Sequence, residues 1–436
     1  LQEPLSFKEV KIVVESLLTI LKNEVKPALG CTGPTSVSFA TSVARAAVGG
    51  EVESVKVVMD RDTYKNSIAV GIPGTNHMGL DIAASLGAVA GDADAGLEVL
   101  HNVTVEDEKR AMSLLPQTRI SIDWNRKEVG LYIDATVKTT NGTGQATVVK
   151  THTNVVLIRA NEEIVLEKPQ EQISASDYSK DAILSYSLED LFNFSMNEPL
   201  ENISFLQSAI EMNEVLAKAG FEEQAGGRFG HGLLGCPYQS PLMKAKALTA
   251  AASDARMAGL SFPAMSCATS GNVGITASLP LVVMARELGK GNETLLRSLA
   301  LSFLVTIYLK SHIGRLSPMC ACAIAAGLGV ASGMVVELGG SFEQVEKAVN
   351  TVVGSIGGIL CDGAKFGCAM KLANAVGTAI ESAYLAMDHI AIRPGDGLVC
   401  EKADDTIAIL GRIAQKGMAP ADEEMCRAII EREQGF

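Results

Sequence analysis

Near the start of the chain, apolar residues recur every three to four positions: Val10, Val13, Val14, Leu17, Leu18, Leu21 and Val25. They follow Ser6 and Glu9, which have capping-box spacing. The spacing predicts a helix that stops at Pro27, after which "PALGCTGPTSVSFATSVARAA" reads as a tight loop entering a second helix. From Glu51 to about Asn161 the period drops to two. "ESVKVVMD", "RISIDW", "GLYIDATVKT" and "QATVVKTHTNVVLIR" alternate as half-buried strands do, with "WNRK" and "TNGTG" as hairpin turns between the later ones. Helical patterns over 80–100 and 105–115 interrupt these strands. After about Ser174 strand signals nearly vanish. Helix starts recur instead, among them Ser187 before "LEDLF" and Ser341 with Gln344 as another capping box.

The pattern predicts an α+β protein. An N-terminal helical arm covers 1–50, a small α/β lobe with an antiparallel meander 51–170, a linker 171–201 and a large all-α domain 202–436. At 436 residues the chain is long enough for two or three domains. Its residues are 47% hydrophobic but only 5% aromatic, so small aliphatic side chains and glycine fill the interior. The uncharged run over 316–336 is long enough to span a bilayer. It is built mainly from Ala, Gly, Cys and Ser with a proline near its start, and reads as a buried core helix.

Charge narrows the partners. Thirty-seven basic against 50 acidic residues leave a net charge of -13, which excludes the basic footprint that nucleic acid or anionic lipid needs. A small zwitterionic substrate remains compatible. The opening "LQEPLSFKEV" lacks the basic and then apolar pattern of a signal peptide. The nine cysteines do not form a secreted framework, so the expectation is a cytoplasmic protein with reduced thiols, a homodimer being left open.

The cysteines are the main chemical signal. Cys320 and Cys322 lie in "SPMCACAIAAGLG", Cys361 and Cys368 in "LCDGAKFGCAMK", and Cys31 in "LGCTGP". Each sits beside glycine or proline where a helix begins or breaks, and free amides there favour a thiolate. Core packing, a zinc site, a redox pair and an iron–sulfur cluster all remain open, because no pair has C-x-x-C spacing. Cys236, Cys267, Cys400 and Cys426 read as space-filling, and none of the cysteines is expected in a strand. Two glycine-rich segments can present amides to a carboxylate: "VGIPGTNHMG" with Thr75 and Asn76, and "TSGNVGITASLP" with Ser270, Gly271 and Asn272. The second resembles the Ser-Gly-Asn loop of pyridoxal-phosphate dehydratases, but its helical surroundings lack the alternating strands that cofactor's fold requires. His77 and His312 stand in loops beside these segments, whereas His152, on a strand, reads as a hydrogen-bonded structural residue.

Taken in order, "PALGCTGP", "KNSIAVGIPGT", "SGNVGITASLP", "GRLSPMCACA" and "CDGAKFGCAMK" resemble the L-cysteine desulfidase group, which is allied to the α chain of iron–sulfur L-serine dehydratases. The resemblance runs from about Pro27 to about Asp388. It implies a [4Fe–4S] cluster held by three cysteines with one iron open, and β-elimination of L-cysteine to pyruvate, ammonia and hydrogen sulfide. L-serine dehydration and a non-catalytic amino-acid- or cluster-binding role are the alternatives. Carried over by motif, the ligands are Cys31, Cys361 and one of Cys320 and Cys322, with Cys322 preferred and Cys368 in reserve. Lys365, Lys371 or His77 is the expected base, and Thr75, Asn76, Ser270, Gly271 and Asn272 the expected substrate contacts. Two positions depart from the family pattern: Gly33 stands where a glutamate is expected and Val273 where a glutamine is. If the missing carboxylate limits the enzyme, Gly33→Glu raises turnover.

Overall fold

The computed structural model describes residues 16–433 apart from 31, 74, 76, 127–129, 170–181, 315 and 316. Cys31, Asn76 and the Ser6–Glu9 capping box lie outside the described residues. The fold is α+β, as the pattern predicts, with two hydrophobic cores. One is built on a six-stranded sheet and the other on packed helices.

The sheet contains β2 (Val52–Met59), β3 (Thr118–Ile122), β4 (Tyr132–Thr139), β5 (Gly142–Val149), β6 (Val155–Ala160) and β7 (Glu163–Glu167) in the order β3-β2-β4-β5-β6-β7. From β4 to β7 it is the expected antiparallel meander, and "TNGTG" does turn a hairpin. "WNRK" does not. β2 lies between β3 and β4, pairing parallel with the first and antiparallel with the second, so the chain crosses over rather than turning back. The Thr32–Val48 helix covers one face together with the Leu80–Ala90 helix. Glycine permits both close approaches. A Cβ on Gly87 would meet Ser38 O at 2.1 Å, and one on Gly144 would meet Ala44 O at 1.8 Å.

The first fifty residues do not stand apart as an arm. Ser16 caps the Leu17–Glu24 helix, whose Leu17, Ile20 and Leu21 are buried in the helical core. That helix ends before Pro27, which instead sits in β1 (Val25–Leu29), paired antiparallel with β8 (Pro263–Cys267). The pair also puts Cys267 in a strand, against expectation. By contrast Val37, Ala40 and Ala44 of the next helix belong to the sheet lobe's core. The expected linker divides too: 170–181 lie outside the described residues, while Ile183, Leu188 and Leu191 are buried in the helical core. Ser187 there forms a capping box with Asp190, and Ser341 does so with Gln344.

At the centre of the helical lobe run the Asn292–Ile313 and Ile324–Leu338 helices. The first is long and apolar enough to cross a membrane, but 78% of its apolar window is buried inside the protein, as a core helix requires. The second occupies most of the uncharged run 316–336 and is buried along nearly its whole length. Its Gly329 and Gly333 let neighbouring backbones approach, since added Cβ atoms would meet Ser302 O at 2.3 Å and Ser298 O at 2.7 Å.

One carboxyl lies within this packing. Glu337 is fully buried, its Oε1 accepts from Ser298 Oγ at 3.0 Å, and its Oε2 has no partner. Burial pushes its pKa up to about 8. An acid held above its unfolded value keeps its proton in the folded state after the unfolded chain has ionised. Stability therefore falls as pH rises from the ordinary 4.5 toward about 8. Glu337→Gln is expected to stabilise the protein at pH 8 by up to about 4 kcal/mol and to change little at pH 4.5. Thermal denaturation across this range checks it; an equal effect at both ends would show that the carboxyl is not protonated in the fold.

Candidate functional site

A short antiparallel bridge brings the two cysteine segments together. Cys320 N donates to Ile359 O at 2.9 Å and Cys361 N to Pro318 O at 2.7 Å, with Met319 facing Leu360. The bridge brings Cys320 into one wall with Cys322 and Cys361, whose sulfurs act on its thiol. Those interactions, with burial, push Cys320 well above the ordinary thiol range. The same interaction draws Cys322 down to about 7 against burial, helped by the Lys310 ammonium. Cys361 is drawn down to about 6, again by Cys320 against burial, with Lys65 assisting. Cys368 opens the Cys368–Met387 helix, donates to Gly363 O at 3.6 Å, and is pushed by burial up to about 12. Two of the four thiols thus lean toward the thiolate form.

These sulfurs line a cavity of about 140 Å³. Its walls come from both lobes: Thr32, Gly33, Asn66, Ser67 and His152 on one side, Ser270, Asn272, Arg256 and Lys310 on the other. Arg256, Lys310 and Lys371 are cations in this lining, and no Asp or Glu is among its described residues. Ser270 Oγ lies 3.8 Å from Cys322 Sγ. Ahead of Ser270, the non-glycine residues Ala268 and Thr269 hold φ of 47° and 67°, a left-handed turn that costs roughly 1–2 kcal/mol per residue. Lys310 Nζ donates to Ala268 O and ties that turn to the central helix.

Arg256 closes the wall behind Ser270. Only 5% of it is exposed. Its Nη2 donates to Gly30 O at 3.0 Å, its Nη1 lies 3.4 Å from Asn272 Oδ1, and its Nε has no partner. Gly271 is required here, because a Cβ would meet that Nε at 2.1 Å.

Beneath the thiols, Gly363 turns with φ +90° against Lys65, where a Cβ would meet Lys65 O at 2.1 Å. Lys65 is buried and donates to Asp422 of the Ala419–Glu433 helix, with Asp62 3.9 Å away. The far end of the chain thereby holds the cation that faces Cys361.

The other expected site residues fall in different places. Ser270 and Asn272 line the cavity, and Gly271 lies between them. Lys371 lines it too, but donates to Asp362 and to Leu360 O at 2.7 Å. Burial works against its charge, yet the Asp362 contact prevails and raises its pKa, so Lys371 stands as a cation. Lys365 donates to the same carboxylate and does not line the cavity. None of the described residues of the 70–79 turn lines the cavity; its Pro73 packs against Gly30. Thr75 is spent within the turn, donating to Ile72 O at 3.0 Å, and His77 pairs with Glu108 at 2.9 Å away from the cavity. His312 also lies outside the lining, against the Tyr308 ring. Sequence reasoning missed Arg256, Lys310, Lys65 and the cavity position of His152. For Arg256 there was a signal: a charged residue near the end of the small-residue helix Pro241–Met257.

Residues 94–427 match the serine dehydratase alpha chain family. Over nearly the whole chain the protein is also similar to UPF0597 proteins: 38% identical to one of Clostridium tetani over 416 residues (95% of this chain, 98% of the relative). One of Caldanaerobacter subterraneus is 38% identical over 418 residues (96% and 98%), and one of Photobacterium profundum 36% over 423 (95% and 98%). The chain belongs to the serine dehydratase alpha chain family, a lyase-like group acting in amino-acid breakdown.

At Gly33, where the resemblance leads one to expect a glutamate, this chain leaves no room for a side chain. A Cβ there would meet Ser67 Oγ at 2.1 Å and Ser67 Cβ at 3.3 Å, so the serine hydroxyl fills the space a side chain would need. Gly33→Ala is expected to cost about 1–3 kcal/mol. Ser67→Gly in the same chain should recover most of that loss in chemical denaturation, and additive effects would show that the two sites do not collide. Gly33→Glu therefore requires Ser67 to move or to be replaced by a smaller residue.

Proposed function

We propose that the protein is an iron–sulfur-dependent lyase of the cytoplasm that carries out β-elimination on L-cysteine, giving pyruvate, ammonia and hydrogen sulfide. The observation that carries this reading is the meeting of Cys320, Cys322 and Cys361 at one wall of a cavity whose other walls are cationic and hydroxyl-bearing. Among the described residues no group of three or more His, Cys, Asp and Glu side chains is arranged to hold a metal ion. The donor chemistry nevertheless fits a cluster. Thiolates select iron–sulfur centres or zinc, and Cys322 and Cys361 are the two displaced toward thiolate. Cys31 is the third ligand by the family resemblance, and Thr32 and Gly33, which follow it, line the same cavity. When bound, such a cluster supplies a Lewis acid at an open iron.

The chain's own groups supply the rest. Ser270 and Asn272 orient the substrate's polar end. His152 is the one imidazole among the described lining residues and takes the Cα proton in place of the ion-paired lysines. Leu131, Val273 and Met319 form the apolar part of the lining and exclude water from the reacting centre. Thiolate leaves more readily than hydroxide, which favours L-cysteine; the family's description favours L-serine dehydration, the second reading.

Protein prepared without oxygen should be brown, bleach in air, and contain iron and acid-labile sulfide. Cys31→Ser, Cys322→Ser and Cys361→Ser should each lose iron; full retention in all three removes the ligand assignment. The iron-containing form should release pyruvate faster from L-cysteine than from L-serine. Pyruvate from neither, with a full cluster present, would leave an amino-acid- or cluster-binding role.

A further inference from the structure

We infer that Arg256 is the receptor for the α-carboxylate of the amino acid, an assignment that rests on the amino-acid reading of the cavity and extends it to a residue outside every recognised motif. Arg256 is a buried guanidinium in the cavity wall, and no carboxylate lies within ion-pair distance of it among the described residues. It is held by a backbone carbonyl and, more loosely, by the Asn272 amide oxygen, and its Nε has no partner. A buried charge without a counter-ion is costly and gains most from an anion. The guanidinium fork matches a carboxylate with two parallel hydrogen bonds.

Three further observations converge on this position. The described lining contains no acidic side chain that would compete for Arg256. Lys310, also 5% exposed, adds a second positive charge to the same cavity. Ser270 and Asn272, which flank Gly271 over the guanidinium, bring a hydroxyl and an amide to the same wall, Ser270 also touching Cys322. A carboxylate on Arg256 therefore lies beside the residues that lead to the thiols, and the amino acid's side chain extends toward the sulfur wall.

The test uses L-alanine, which has no leaving group and so binds without turnover, and L-alaninamide, which lacks the carboxylate. Calorimetry on the full-length protein should show L-alanine binding at least about tenfold more tightly than the amide, the scale of one charge-assisted pair. In Arg256→Gln that preference should vanish, and Arg256→Lys should retain part of it. Gly271→Ala, which drives a Cβ into Nε, should weaken L-alanine binding without unfolding the chain. A tenfold preference surviving in Arg256→Gln, or no L-alanine binding to the wild type, overturns the assignment. The lyase reading fails separately. Arg256-dependent L-alanine binding, with no pyruvate from either substrate in cluster-loaded protein, would leave the receptor standing and remove the reaction. Pyruvate formation with an unchanged KM in Arg256→Gln would do the reverse.

Discussion

The crossing of the chain at Gly30 is the constraint on which the site depends. Before it, β1 pairs with β8 in the helical lobe; after it, the Thr32–Val48 helix packs into the sheet lobe. Gly30 makes the turn with φ +62°, and a Cβ there would meet Pro73 Cγ at 2.2 Å. Its carbonyl is held by Arg256. One residue thus ties together the two lobes, the 70–79 turn and the buried guanidinium. The cavity lies at this junction, which is why its lining alternates between segments far apart in sequence.

A second set of contacts closes the other side. The Met319–Leu360 bridge aligns the cysteine segments, and Lys65, held by Asp422, supports the loop at Gly363. Neither would place the thiols alone. The bridge sets their spacing, while Lys65 supplies a charge that a buried thiolate needs. The C-terminal helix consequently contributes to the electrostatics of a site that it does not line.

Local pattern was informative wherever local physics decides structure. Period-two alternation marked β2 through β6, and capping boxes marked Ser187 and Ser341. The β1–β8 pair carried no such signal, because each strand has only five residues, includes a proline and does not alternate between buried and exposed positions. "WNRK" looked like a hairpin turn because sequence shows neighbours in order, not the strand inserted between them. The cysteines were legible through their glycine and proline flanks. Their ranking was not, since it depends on two other sulfurs acting on Cys320. Lys365 and Lys371 attracted notice by proximity to Cys361, but Asp362 engages both. Lys310 was missed for the opposite reason, as a charged residue on a helix whose burial only the packed structure reveals, and Arg256 because the small-residue stretch around it was not read as a sign of burial.

The charge of the cavity lining is opposite in sign to that of the chain as a whole. The chain carries -13 overall, yet Arg256, Lys310 and Lys371 line the cavity without a described acidic neighbour in that lining. Surface charges are screened over roughly 8 Å at physiological ionic strength, so distant surface acids do little to the buried Arg256 and Lys310, while Lys371 keeps Asp362 as its partner. A zwitterion has no net charge for that exterior to repel. Inside, its carboxylate meets cations in a medium of low polarity, where each interaction is stronger than in water. The same cations favour thiolate over thiol, because Lys310 acts on Cys322 and Lys371 on Cys361. Holding sulfur as a ligand and holding an amino acid by its carboxylate thus demand the same local field, and one cationic cavity can serve both.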